Sequence, residues 1–135
     1  MKPSDRLRKI CLALPEAVEQ ETWDIPTYRV RRKIFVMETE TEGRLSLWCK
    51  ALPGSQAILV GADPRRFFVP PYVGHKGWVG MWLDGRPEWN EVAELVRRSY
   101  CQIAPKRLAV AVNAVASKVP PRSGSDGRVR TRKEF

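Results

Sequence analysis

The stretch that most constrains the fold is residues 77–84, in which apolar side chains alternate between two sets. One set is Trp78, Gly80 and Trp82, and the other is Val79, Met81 and Leu83. Successive side chains of a β-strand point to opposite faces of its sheet, so this alternation predicts a strand. One face of the strand is expected to lie in the core, and the other carries two indole rings.

The segment before this strand is predicted to be a loop, because two prolines and two glycines within residues 70–77 interrupt any helix. It holds His75, the single histidine of the chain, beside Lys76. Loops positioned by a rigid scaffold often carry binding residues. The same letters also fit a surface histidine next to Trp78 and Trp82 buried beneath a helix.

The chain is long enough for one domain and too short for two, with 135 residues of which 43% are hydrophobic. Residues 1–116 are expected to form that domain. Beyond Ser117 no apolar periodicity remains, and a segment rich in proline, serine, glycine and arginine buries too little surface to offset its ordering entropy. Residues 117–135 are therefore expected to be a basic, disordered tail.

The chain is strongly basic, with a formal charge of +9 from 24 Lys and Arg against 15 Asp and Glu. The last 18 residues hold six of the basic side chains and two of the acidic ones, so most of the excess belongs to the body. Such a balance favours polyanionic partners such as nucleic acid. A basic tail raises affinity for nucleic acid without adding sequence specificity.

Three widely spaced cysteines, Cys11, Cys49 and Cys101, fall at apolar positions of predicted elements. Without a C-x-x-C pair, and with one histidine, the chain lacks the spacing of a standard zinc site or a disulfide framework. We therefore expect free buried thiols, no metal and no cofactor. No apolar leader or membrane-length apolar run is present, which predicts a cytoplasmic protein with no membrane partner.

Hydrophobic periodicity divides the rest of the chain into helices and strands. The predicted helices are residues 4–14 with Ser4 as N-cap, 53–60 ended by Gly61, 88–103 and 106–117. The predicted strands are residues 27–30, 33–38 and 44–50, and residues 63–68 are predicted to be a turn or a single helical turn. An acidic stretch, residues 16–24, makes the edge near the first helix a poor place for DNA.

A basic hairpin joins the first two of these strands, with Arg29, Arg31, Arg32 and Lys33 within five residues. Arginine and lysine on a short hairpin tip can follow the phosphates of a duplex. The alternative is a turn whose charges serve only solubility.

An aromatic strip is predicted where the strand at residues 44–50 shares a sheet with the strand at residues 77–84. Trp48, Trp78 and Trp82 would then lie on one face, with Lys50 at its edge. Aromatic rings interleaved with basic side chains bind single-stranded nucleic acid by stacking. The same face, with Tyr72 and His75 of the neighbouring loop, offers an alternative pocket for a small molecule or a partner protein.

Several short motifs, taken in chain order, resemble the MmcQ/YjbR-like family. They are L-P-E-A near Leu14, K-I-F at residues 33–35, P-x-x-F-F before P-P-Y, H-K-G-W-V before the long strand, and S-Y at residues 99–100. The resemblance covers about residues 4–108. It implies an α+β domain of the frataxin-like, or double-wing, kind: an antiparallel sheet with helices packed on one face.

Members of that family are generally labelled DNA-binding on structural analogy, and the matching positions here are Lys33, Lys76 and Trp78. None of the motifs is a catalytic signature. The sequence thus predicts a non-enzymatic protein that binds nucleic acid, with DNA favoured. The basic hairpin would neutralise phosphates, Lys50 and Lys76 would assist, and the indoles would stack on bases.

Overall fold

Within residues 1–116, which the computed structural model describes, six antiparallel strands form one sheet. The helices are α1 (Pro3–Leu12), α2 (Ser55–Ala62), α3 (Trp89–Ile103) and α4 (Lys106–Ala116). The strands are β1 (Val18–Thr22), β2 (Ile25–Val30), β3 (Lys33–Thr41), β4 (Arg44–Lys50), β5 (Phe67–Phe68) and β6 (Trp78–Trp82). Their order is β1-β2-β3-β4-β6-β5, which confirms the predicted α+β class with an antiparallel sheet. The predicted tail, residues 117–135, lies outside the described residues.

Two-residue turns connect the first four strands. They are Trp23 with Asp24, Arg31 with Arg32, and Glu42 with Gly43, and all six residues have positive φ. Positive φ at both positions is what a type I′ turn requires, and its twist matches that of a hairpin. The register on either side of the arginine turn confirms the predicted basic hairpin.

Helix α3 covers the centre of the core face of the sheet. Val92, Val96 and Tyr100 recur at helical spacing and are fully buried. The Tyr100 ring meets Phe35 of β3 edge-on, with ring centroids 5.3 Å apart. The Tyr100 hydroxyl donates to the Pro15 carbonyl (2.7 Å). This helix therefore holds both the sheet and the loop that follows α1.

The alternation along β4 and β6 selects which face is buried, as predicted. Leu47 and Met81 are direct partners across these strands, and both are fully buried. Cys49 and Val79 form the next partnered pair on the same face and are also fully buried. The other face of both strands, which we call the open face, carries the tryptophans.

A β-bulge marks the start of β3. Phe35 is an extra residue opposite the step from Tyr28 to Arg29 in β2. At this point the Ser99 hydroxyl of α3 donates to the Phe35 carbonyl (2.7 Å) and accepts from the Lys50 N–H (2.9 Å). Ser99 thereby satisfies two backbone groups at the adjoining ends of β3 and β4.

The predicted N-cap of α1 and the predicted end of α2 are wrong. Helix α1 begins at Pro3 with Lys2 as its N-cap, and the Ser4 hydroxyl instead donates to the Glu38 carboxylate (2.8 Å). Proline suits the first helical position because its ring fixes a helical φ and no N–H is needed there. Helix α2 continues through Gly61 for one more residue.

The sequence does not predict β1 or β5. The letters of β1, V-E-Q-E-T, have no apolar alternation, and the strand forms because β2 offers an unpaired edge. Its exposed Glu19 and Glu21 discourage a further strand from pairing there. Strand β5 is only two residues long and pairs with β6, so no period can reveal it.

The three cysteines are free. Cys11 and Cys49 are fully buried, as predicted, whereas Cys101 is only partly buried. Burial raises the pKa of all three thiols. No helix within residues 1–116 has the length and apolar content needed to cross a bilayer.

Glu38 provides a test of the core face, because it is a buried acidic residue, only 8% exposed. Burial raises its pKa, although the hydrogen bond from Ser4 opposes that rise. Folding therefore favours the protonated form, and the stability that this group contributes falls as the pH rises above its unfolded pKa. We expect Glu38→Gln to raise the urea midpoint at pH 7 and to change it little at pH 4.

Tryptophan fluorescence during urea unfolding measures both midpoints. Glu21→Gln is the matched control, since Glu21 is an exposed glutamate of β1. A difference between Glu38→Gln and the parent that is the same at both pH values would contradict the assignment.

Candidate functional site

The register of β4 and β6 places all three predicted indoles on the open face. Trp48 is opposite Gly80, Trp82 is opposite Ser46, and Trp78 is opposite Lys50. The shared face is therefore as predicted. The expected stacking platform also requires the rings to be accessible.

Two of the three rings are covered. Trp78 is 8% exposed, and Gln56 of α2 donates to its carbonyl (2.6 Å). Trp82 packs against Phe68 with ring centroids 4.5 Å apart, and the Arg44 guanidinium lies 3.9 Å from its ring centroid. The structure thus contradicts a stacking role for Trp78 and leaves Trp82 already engaged.

Gly80 permits this covering. A Cβ built at Gly80 would lie 2.2 Å from the Phe68 ring, closer than atoms can approach. The ring of Phe68 therefore occupies the place where a side chain of residue 80 would stand. The glycine that lies between the two tryptophans in sequence makes room for a third aromatic ring.

The tip of the basic hairpin is a compact ion-pair cluster. Arg31 and Arg32 have φ of 51° and 72°. Arg31 donates two hydrogen bonds to the Glu16 carboxylate, and Arg107 of α4 approaches the same group at 3.8 Å. The hydrogen bond from Arg31 lowers the pKa of Glu16, and Glu16 raises the pKa of Arg31. One carboxylate is thus shared by two arginines.

Of the other three basic residues of the hairpin, one is hydrogen-bonded within the protein and two are exposed without an acidic partner. The Arg29 guanidinium donates to the Thr22 hydroxyl (3.0 Å), the Thr27 hydroxyl (3.3 Å) and the Arg32 carbonyl (3.1 Å). These partners are neutral, so the charge of Arg29 is not compensated by them. Arg32 and Lys33 are exposed and have no acidic partner within residues 1–116.

A second group of cations lines a cleft of about 690 Å³ between the end of β4 and the junction of α3 with α4. It contains Lys50, Arg97, Arg98 and Lys106. Arg97 and Arg98 share the Glu94 carboxylate. Burial would raise the pKa of Glu94, but its hydrogen bonds and charge pairing with these arginines lower it. Lys50 and Lys106 have no acidic partner in the described part of the chain.

The first turn of α4 connects the two groups. Lys106 lines the cleft, and the next residue, Arg107, approaches Glu16 at the hairpin tip. Lys76 lies toward the same end, because the Gly77 carbonyl accepts from the N–H of Ala51, the residue after β4 (3.2 Å). We call this region the basic end. Its cations are Arg29, Arg31, Arg32, Lys33, Lys50, Lys76, Arg97, Arg98, Lys106 and Arg107.

Four cations of the basic end were not predicted as site residues: Arg97, Arg98, Lys106 and Arg107. The sequence gives one indication for two of them, since Arg97 and Arg98 lie outside the apolar stripe of α3. Their position beside Lys50 depends on how α3 docks on the sheet. That docking is a tertiary contact, and a local pattern does not reveal it.

The structure brings together only two of the five residues predicted for the alternative pocket. Trp48 and Tyr72 line a separate cleft of about 390 Å³ on the open face, whereas His75, Trp78 and Trp82 do not line it. Trp23, which the sequence analysis missed, forms another wall. His75 is exposed, in a short 3₁₀ turn with Lys76.

Comparison with known proteins confirms the resemblance that the motifs indicated. The YjbR family model matches residues 12–102. A crystal structure of a Deinococcus radiodurans protein with a DUF419 domain superimposes with a TM-score of 0.69 at 24% identity, over 83% of this chain and 91% of that one. At that identity the likeness shows a shared fold. No protein among those with curated descriptions matches.

The packing of Phe68 over Gly80 predicts a specific weakness. Gly80→Ala is expected to displace the Phe68 ring and lower the free energy of unfolding by about 1–3 kcal/mol, as overpacking typically does. Urea unfolding followed by far-UV circular dichroism measures this change. Gly61→Ala is the matched control, since a Cβ there meets nothing within 4 Å and alanine favours the helix. Equal stabilities of the two variants would contradict the packing argument.

Proposed function

We propose that this protein, which belongs to the YjbR family, binds nucleic acid through phosphate contacts at its basic end. The DNA-binding label that accompanies the family resemblance makes duplex DNA the favoured partner. In this proposal the hairpin tip and the cleft beside Lys50 provide the charge. The tryptophans of the open face support the fold and are not required to stack on bases.

The proposal rests on one observation: the cations of the basic end outnumber the carboxylates that pair with them. Four arginines share two carboxylates, Glu16 and Glu94. Arg32, Lys33 and Lys50 have no acidic partner within residues 1–116. Phosphates are the natural complement of such a surface, because their binding releases counterions and lowers the repulsion among the cations.

The backbone of the hairpin tip supports a functional reading of its arginines. Asn-Gly is the preferred pair for a type I′ turn, since both central residues have positive φ. Arg31 and Arg32 occupy both positions although a non-glycine residue is disfavoured there. Strain that local stability does not require is more common at functional sites.

The N-terminal turn of α4 also supports phosphate binding at the basic end. Its first turn contains Lys106 and Arg107 and no acidic residue. The N-terminal end of a helix carries partial positive charge, so cations there are unfavourable and anions are favourable. A bound phosphate would reverse this local disadvantage.

We also propose the finer descriptions expected from the sequence: a frataxin-like, double-wing fold, a cytoplasmic location and a binding role without catalysis. The last is supported by His75, which is exposed and has no hydrogen-bonded nucleophile among the described residues. General acid–base or nucleophilic catalysis requires such a partner within hydrogen-bond distance.

The sharpest test changes the turn without weakening it. Arg31→Asn combined with Arg32→Gly installs the preferred type I′ pair, so the variant is expected to remain folded. Its affinity for a fluorescein-labelled 20-base-pair duplex should fall, and the dependence of log affinity on log salt should become shallower by about 2. Fluorescence anisotropy of the full chain between 50 and 200 mM NaCl measures both effects.

A matched control removes the same charge elsewhere. Arg65 and Arg86 lie near the opposite end of β6, where the Trp82 N–H donates to the Arg66 carbonyl (2.9 Å). Arg65→Ser with Arg86→Ser should reduce affinity much less. Equal losses for the two double variants, or no binding by the parent at 50 mM NaCl, would refute the proposal.

A further inference from the structure

The second cleft is a concave, almost wholly apolar site on the open face. Its floor includes Met37 and Trp48, and its walls include Trp23, Tyr72 and Val73. Thr39 also lines it, but its hydroxyl is already hydrogen-bonded to Ser46 (2.7 Å). A volume of about 390 Å³ lies within the usual range for small-molecule sites.

Trp48, one of the lining residues, has a polar atom that lacks a partner. Among the described residues, the indole nitrogen of Trp48 is the buried side-chain donor or acceptor for which no hydrogen-bond partner exists. An indole N–H only donates, so the missing partner must be an acceptor. Buried indole groups usually find such a partner, because an unpaired donor is costly.

The walls of the cleft are unusually exposed aromatic residues. Trp23 is 74% exposed with φ of 53°, and Tyr72 is 85% exposed with φ of 68°. Bulky residues rarely adopt this backbone conformation. Both rings therefore lie at the rim with little packing of their own, although large aromatic side chains are usually well buried.

We propose that this cleft binds a small, flat, uncharged molecule that carries a hydrogen-bond acceptor such as a carbonyl oxygen. The aromatic walls would contact its faces, and the acceptor would pair with the Trp48 N–H. That nitrogen is covered in the structure, so a lining side chain has to move aside for the acceptor to reach it.

The lining decides against other occupants. No lysine or arginine lines the cleft, and Asp24 adjoins Trp23, so an anionic ligand is disfavoured. An extended peptide would bring an N–H and a carbonyl with each residue, and the cleft has too few polar groups to satisfy them. This site shares no residue with the basic end, so the proposal is independent of nucleic-acid binding.

Two matched probes test the proposal: coumarin, a neutral bicyclic compound with a carbonyl, and naphthalene, which has a similar shape and no acceptor. In ¹H–¹⁵N spectra of the full chain, Trp48→Phe identifies the Trp48 indole resonance by its loss. Coumarin should shift that resonance saturably and bind more tightly than naphthalene. Trp48→Phe removes ring contact with both probes, so it should lower coumarin affinity by roughly three- to tenfold more than it lowers naphthalene affinity, the contribution of one neutral hydrogen bond.

Tyr72→Asn provides a variant that should remain folded, since Tyr72 is exposed and asparagine tolerates positive φ. It should weaken the binding of both probes. Three results would overturn the proposal. They are no saturable shift at millimolar coumarin, equal affinities of the parent chain for the two probes, or an indole shift that depends on protein concentration without ligand, which would assign the cleft to a second copy of the chain.

Discussion

Burial of one face of the sheet beneath α3 is the constraint on which the rest of the structure depends. Because β4 and β6 alternate with a period of two, placing Leu47 and Met81 in the core directs Trp48 and Trp82 to the other face. Among residues 1–116, no α-helix as long as α3 lies over the centre of that open face. Local devices cover it instead: Phe68 lies over Gly80 and Arg44 over Trp82. The cleft beside Trp48 is the part that these devices leave open.

The packing of α3 on the sheet also determines where the cations of the basic end lie. Helix α3 ends close to the ends of β3 and β4, and α4 begins three residues later. Cations from separate parts of the chain therefore meet at one end of the domain, although they are far apart in sequence. Few carboxylates accompany them, and two of the cations occupy strained turn positions. The basic end is thus a surface whose composition folding alone does not explain.

Much of this fold follows from local patterns, and much of the site does not. Alternation predicts β4 and β6, helical spacing predicts α3, and polar letters between apolar runs predict the arginine turn. Trp78 is buried although it shares its face of the sheet with the less buried Trp48 and Trp82, so no period in the strand itself reveals its burial. The pairing of Arg31 with Glu16 crosses 15 positions and follows the docking of β1 at the edge. Sequence patterns report which face a residue occupies, but tertiary packing decides what covers that face.

The Ser99 hydroxyl has a consequence for the spacing of the basic end. It joins α3 to two strands at once, at a bulge where the Phe35 carbonyl and the Lys50 N–H would otherwise be unpaired. If α3 shifted along the sheet by one turn, both of these backbone groups would lose their hydrogen bonds to Ser99. The helix is therefore locked lengthwise, and Arg97 and Arg98, the two residues before Ser99, keep a fixed offset from Lys50. The buried Ser99 oxygen thus contributes to the spacing of positive charges on the surface.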